Sequence, residues 1–342
     1  MLTMKKHLTI VLAIVALGLP GAQAQERSLI VRLNPAIEDI LPPDAKVEKL
    51  VSNFGFLEGP VWVRKGGYLL FSDIPANVIN KWSPDDGKVS IFLAYSGFTG
   101  TDDSGAGMQL NNGFTTVTLL GSNAVTLDPH GRVVYCAHGD RQVVRLEEDG
   151  RRTVLASQYE GKRLNSPNDL VYKSDGSLYF TDPAAGLRNG NDDPKKELPF
   201  TGVYLLKDGK LQLLTKDFRP NGLAFTPDEK HLYLINSDKK SILRYDVQPD
   251  DTITNAQAFI DMSLDKAPGG PDGMKVDQKG NVYCTGPGGF WIMSAEGKHL
   301  ATVLTPEVVA NLAFGGADGK TLFLMGRTSL YQIHLKVPGI LP

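Results

Sequence analysis

The chain has 342 residues, 42% of them hydrophobic, with a formal net charge of −2. That apolar content excludes a disordered chain, and near-neutral charge without a basic run excludes nucleic acid as a partner. The 36 glycines and 21 prolines point to many short strands joined by turns.

At the start, Lys5 and Lys6 precede an apolar run from Leu8 to Leu19, and Ala22-Gln23-Ala24 forms a small-x-small cleavage pattern. A secretory signal over residues 1–24 is expected, because the apolar run is well short of the ~20 residues a membrane span needs. The mature chain is then expected in the periplasm or secreted, free of the membrane, as one domain over 25–342. Residues 25–53 read as a lead-in. Asn34-Pro35 ahead of Ala36 to Leu41 predicts a short capped helix that Pro42-Pro43 ends. Lys46 to Val51 is expected as an edge strand beside Ser329 to Leu335, joining the two ends of the domain.

From Glu58 onward one unit recurs. Its plainest copy runs from Ser166 to Asp182: the polar pair Asn168 and Asp169, an apolar run, a Ser-Asp-Gly turn and a second apolar run. Asp-Gly between apolar runs supplies the positive φ of a hairpin. Glu58, Asn123, Asn221, Asp272 and Asn311 open five further copies. First strands begin about 40 to 65 residues apart, the period of propeller blades rather than helical repeats. The prediction is an all-β, six-bladed β-propeller with four strands per blade.

One segment breaks the pattern. Residues 97–121, rich in Gly and Thr, form a long loop that runs into Asn123; it is expected to border the mouth of the ring as a partial lid that shapes substrate choice, or to be a surface insertion.

In a propeller the innermost strands line a central channel and run the same way, so residues just before them collect at one mouth. Glu58, Asn123, Asn168, Asn221, Asp272 and Asn311 therefore converge, a set of carboxylate and amide oxygens without thiol or imidazole. Such donors suit a hard divalent cation, and two buried carboxylates without one are costly. Taken singly, Asn or Asp before a strand is more often a turn former. Cys136 and Cys284 occupy matching places in the second and fifth copies, opposite in a six-membered ring. Their separation should exceed the ~7 Å limit for a disulfide, so two buried free thiols are expected.

The motifs EGPVW at Glu58, SPNDLV at Ser166, NGLAF at Asn221 and GGPDGMKVD at Gly269, taken in order, resemble the senescence marker protein/gluconolactonase family, the calcium-dependent lactonases that include regucalcin. The resemblance covers nearly all of the mature chain. It implies a six-bladed propeller and a metal held by Glu58, Asn221 and Asp272, with Asn168 as a fourth ligand or a substrate contact. Ca²⁺ is the expected ion; Mg²⁺, Mn²⁺, Zn²⁺ or Fe²⁺ are alternatives. Asp169 resembles a substrate-contacting position, and Asn123 and Asn311 complete the ring as candidate substrate contacts. Two departures stand out: Ala137 replaces a glutamate frequent in similar bacterial sequences, and the 97–121 insert is longer than usual.

The implied chemistry is opening of a lactone, most naturally a sugar lactone, by Lewis-acid activation of the carbonyl and attack of water. Asp272 is the leading candidate base and Asp169 the second. His138 is a further candidate base or substrate contact. Arg141 is a candidate for an anionic or hydroxylated substrate, or else an ordinary surface ion pair. No HExxH pattern, GxSxG elbow or phosphate-binding loop occurs. Two other readings stay open: phosphotriester hydrolysis on the same site, and a non-catalytic ligand-binding propeller with a structural ion.

Overall fold

The computed structural model describes residues 30–216 and 218–342. The expected signal segment lies outside the described residues. Six antiparallel sheets stand in chain order around a central channel. Their innermost strands are Leu57–Val63, Ser122–Leu127, Leu170–Tyr172, Pro220–Phe225, Met274–Val276 and Val309–Gly315, which open blades 1 to 6. In blades 1 to 4 the strands follow one another from the channel outward.

Closure of the ring is as expected. The sixth blade takes its outermost strand from the start of the domain, Glu48–Ser52, which pairs antiparallel with Ser329–His334. A second N-terminal strand, Ile30–Arg32, escapes the sequence reading and adds a fifth strand to blade 5 against His299–Leu304. Between them the expected helix forms as a short 3₁₀ segment, Pro35–Asp39, capped by Asn34 Oδ1 accepting the Ala36 amide at 3.0 Å. Its Ile37, with Ile40 and Leu41, packs into the core shared by blades 5 and 6.

Aromatic side chains interlock neighbouring blades. Tyr179 of blade 3 meets Phe225 of blade 4 edge-to-face at 4.9 Å, and Tyr283 of blade 5 meets Phe314 of blade 6 at 5.0 Å. Across the closing seam, Phe323 of blade 6 stacks on Trp62 of blade 1 at 5.5 Å. Each pair places a second-strand aromatic against the inner strand of the next blade. The contact is large and apolar, and such pairs add about 0.5–1.5 kcal/mol beyond area burial. Cys136 and Cys284 are both buried and free.

The 97–121 insert is ordered rather than loose. It carries a small hairpin, Gln109–Asn111 with Thr116–Thr118, and its backbone is tied at several points. Gly107 and Met108 donate to Gly186 and Ala185 of the blade 3 loop, and Gly121 donates to Ile74 of blade 1. Asn112 Nδ2 donates to Gly55 O at 2.8 Å, and Arg327 Nη1 of blade 6 to Asn111 O at 3.1 Å. Asp140, beside the Ala137 departure, accepts the Thr99 hydroxyl at 2.9 Å.

Blades approach closely where glycine follows the opening residue. A Cβ on Gly222 would lie 2.5 Å from Asp272 O, and one on Gly273 would lie 2.2 Å from Asn311 Oδ1. Gly222→Ala must therefore push blade 5 away from blade 4. Overpacking of this kind costs roughly 1–3 kcal/mol. Urea unfolding of the variant should show a lower midpoint at unchanged m-value, and an unshifted midpoint would mean the blades separate freely here.

Candidate active site at the channel mouth

The inner strands do not begin cleanly. In blades 1, 2, 4 and 6 the pairing register slips by one residue at Glu58–Val61, Ser122–Val125, Pro220–Leu223 and Val309–Asn311. Bulges re-aim side chains and terminate pairing, so the polar residues at these points turn into the mouth instead of a blade core. Adjacent blades are pinned at the same level: Ser72 Oγ donates to Asn123 O at 2.7 Å, and Ala124 N to Asn168 O at 3.0 Å. Gly222 N donates to Asp272 O at 2.8 Å, and Leu57 N to Arg327 O at 3.1 Å.

Behind the mouth lies a second layer that sequence reading missed. Asp73 and Asp182, each closing the second strand of its blade, accept backbone amides from the loop leading to the mouth. Asp73 takes Gly55 and Phe56 ahead of Glu58; Asp182 takes Asn165 and Ser166 ahead of Asn168. Thr285 Oγ1 accepts the Asp272 amide at 2.8 Å, and Thr181 Oγ1 the Asp169 amide at 3.0 Å. The repeated Phe-Ser-Asp at 71–73 and Phe-Thr-Asp at 180–182 was the signal available.

Three acidic groups meet here. Burial pushes the Glu58 carboxyl well above its ordinary value, with Asp272 and Asp169 adding like-charge repulsion. Asp272 is raised to about 7, first by burial and then by Asp169, against a hydrogen bond from the Asn221 side chain. Asp169 is raised by burial and held down by the Lys275 ammonium and the Leu170 amide. Its Oδ1 accepts that amide at 2.8 Å, while Oδ2 is buried with no hydrogen-bond partner. Asn311 Nδ2 donates to Glu58 Oε2 at 2.9 Å, and its Oδ1 accepts the Leu312 amide.

Of the residues expected from sequence, Glu58, Asp169, Asn221, Asp272 and Asn311 are thus linked directly, and Asn123 and Asn168 stand at the same level of the ring. Asn311 orients Glu58 through its Nδ2 and lines the channel cavity as well. His138 is fully buried behind the mouth, with Nδ1 3.2 Å from Pro167 O and Nε2 without a partner. Burial lowers its pKa to about 4. The expectation for Arg141 is corrected. Its guanidinium is buried and donates to the carbonyls of Leu164, Asn165 and Lys195 at 2.6, 3.1 and 2.9 Å, with the Glu197 carboxylate 4.0 Å away, so it is enclosed by backbone and is neither an ordinary surface ion pair nor open to a ligand.

Below the mouth the channel encloses about 430 Å³, walled by apolar side chains such as Val61, Val125, Leu223 and Val276 and reached by Asp169 and Lys275. Among the described residues no three His, Cys, Asp or Glu side chains form a ready-made metal cage. The oxygen set nevertheless fits a hard cation. The Asp272 and Asp169 charges push the Glu58 carboxyl up and Asp169 pushes up Asp272, Asp169 Oδ2 is buried without a hydrogen-bond partner, and the remaining donors are the amides of Asn168 and Asn221.

Comparison with known proteins gives a consistent picture. A family model described as SMP-30/Gluconolactonase/LRE-like region matches residues 56–327. The chain is 36% identical over 324 residues to a gluconolactonase of Zymomonas mobilis, covering 91% of this chain and 87% of that one. It is 26% identical over 290 residues to regucalcin of Xenopus laevis, covering 82% and 86%. A solved gluconolactonase of Xanthomonas campestris aligns at a TM-score of 0.74 and 29% identity over 90% of this chain and 94% of that one. With the match spanning all six blades, the chain belongs to the SMP-30/gluconolactonase/LRE-like family.

Proposed function

We propose that this chain is an exported, divalent-metal-dependent lactonase that hydrolyses a sugar lactone to its open-chain acid. The observation that carries the reading is the crowding of the Glu58, Asp169 and Asp272 carboxyls at one mouth, where burial and mutual repulsion work against their ionisation. A fold keeps such a cluster when something cationic compensates it. The gluconolactonase relatives supply the substrate class, and the regucalcin relative supports a divalent ion, Ca²⁺ first.

Glu58, Asn168, Asn221 and Asp272 would hold the ion. When bound, it supplies a Lewis acid that polarises the lactone carbonyl and offsets negative charge on its oxygen. The protein's own part is orientation and proton transfer. Asn311 fixes Glu58, the Thr285 hydroxyl fixes the Asp272 backbone, and Asp272 accepts the proton of the attacking water, with Asp169 beside it. The insert stands over blades 1 to 3 and 6, which leaves the side of blades 4 and 5 as the approach for substrate. As a partial lid the insert would shape which lactone is admitted.

His138 has no part in the proton transfer: it is buried, and its Nδ1 is directed at the Pro167 carbonyl.

Activity is expected to vanish on chelation while the protein stays folded. Acid release from a panel of aldonolactones, followed together with the melting temperature, checks this. A melt that collapses with the metal, in a protein that never turned over lactone, would favour a structural ion, and turnover of phosphotriesters alone would favour the phosphotriesterase reading. Asp272→Asn should lower kcat by about 10²–10⁴, the usual contribution of a general base, without changing the circular-dichroism spectrum. Near-normal turnover in that variant removes Asp272 as the base.

His138 predicts a pH effect on stability. Its folded pKa near 4 lies below the ordinary 6.5, so the unfolded chain takes up a proton that the folded chain refuses. Stability from this group is complete above pH 6.5 and is lost as pH falls from 6.5 toward 4. His138→Asn should flatten the fall in melting temperature over that window; an unchanged pH profile would show that His138 is not responsible.

A further inference from the structure

We infer that Arg327 is the anion contact of the mouth, where its guanidinium holds a carboxylate: the one that ring opening creates, or one that the lactone itself carries. The role rests on the lactonase reading above. Arg327 follows the second strand of blade 6, Thr321–Gly326, which pairs antiparallel with the inner strand and so ends on the side where the inner strands begin. Its backbone is clamped there. The Arg327 amide donates to Val308 O, and its carbonyl accepts the amide of Leu57, the residue before Glu58, each at 3.1 Å. The side chain crosses from blade 6 to the insert, where Nη1 donates to Asn111 O at 3.1 Å. That fixes one end of the guanidinium and leaves most of its donor capacity unused. Nε is buried without a hydrogen-bond partner, and a buried donor is costly unless something meets it.

The acids around Arg327 do not answer it. Glu307, against Gly326, spends its oxygens on the Thr328 amide and hydroxyl and on the Tyr331 hydroxyl. Among the described residues Arg327 has no ion pair, whereas Arg219, the other arginine whose charge reaches Asp272, is exposed and paired with Asp238 at 3.4 Å. Hydrolysis supplies the missing partner. The water oxygen bonds to the carbonyl carbon, the bond from that carbon to the ring oxygen breaks, the ring oxygen leaves as a hydroxyl, and the new acid releases a proton to become a carboxylate. The side chains converging on the mouth are carboxyls and carboxamides, poor partners for that anion, while a planar guanidinium fork matches it in charge and shape.

Calorimetric titration of the Ca²⁺-loaded full chain with D-gluconate and with D-glucitol, the same polyol without the carboxylate, tests this. Arg327→Gln, which keeps an amide donor and removes the charge, is expected to weaken gluconate binding about tenfold and to leave glucitol binding unchanged, and Arg327→Lys to recover most of the loss. Arg327→Met is the second neutral variant should the glutamine variant fail to fold. Steady-state kinetics then separates the sources of the anion. If the substrate carries it, the neutral variant raises KM for a lactone bearing a second carboxylate more than for D-gluconolactone; if hydrolysis creates it, both KM values hold and only inhibition by the product acid weakens. Equal weakening for gluconate and glucitol, as a loosened insert would give, overturns the proposal, and so does unchanged gluconate binding in a folded neutral variant. A wild type that opens gluconolactone but does not bind gluconate overturns the proposal alone; one that opens no lactone overturns the lactonase reading on which it stands.

Discussion

Like charges forced together at a narrow ring govern this molecule. Six inner strands run in one direction and begin at one mouth, and three of the residues delivered there are acids. Burial within the ring limits how far solvent can disperse that repulsion. The neighbourhood is accordingly built to hold the acids in place against it. Asn311 and Asn221 donate to two of the carboxyls, Thr181 and Thr285 grip the backbones of the acids on blades 3 and 5, and Asp73 and Asp182 fasten the loops that lead in. Each of these contacts positions a charge that the fold alone would not choose to bury.

The channel divides into chemical zones for the same reason. At the mouth the groups are carboxylate and amide oxygens, and below Asp169 comes a belt of valine, leucine and alanine before polar side chains such as Asp128, Lys173 and Glu229. The insert is tied by hydrogen bonds to four different blades. Arg327 serves two ends at once. It ties the insert through Asn111, and its charge lowers the Asp272 carboxyl's tendency to protonate, so the insert and the acid cluster are mechanically and electrostatically joined.

The architecture was legible in the sequence because its signals are local and repeated. Asp-Gly and Lys-Gly turns, the tyrosine of Leu-Tyr-Phe and Val-Tyr-Cys, and the polar residue before each apolar run recur blade after blade. Lys46 to Val51 was readable as the closing strand because its alternation leaves it half-buried at an edge. What was not legible depends on pairings that no local pattern encodes. Ile30–Arg32 is too short to announce itself as a strand, and the insert's hairpin is held by partners up to 216 residues away. Arg141 looked like a surface cation because nothing adjacent in sequence reveals the carbonyls of residues 164, 165 and 195 that enclose it. The hold of Asn311 on Glu58 is hidden in the same way, since the two lie 253 residues apart.

The placement of the acids also bears on whether an ion serves the fold or the chemistry. Were its task to clasp the blades, the ring would be expected to lack other closures at that level. Instead the seam between blades 6 and 1 is shut by Phe323 on Trp62 and by the paired strand Glu48–Ser52, and neighbouring blades meet through backbone hydrogen bonds and glycine contacts. The acids add only one amide bond each at two of these seams, Glu58 from Asn311 and Asp272 from Asn221. A cluster of buried acids whose repulsion the scaffold must restrain costs more stability than one amide hydrogen bond at each seam returns. Such local conflicts between folding and placement are characteristic of sites kept for reaction, and this one sits where the channel opens to a small molecule.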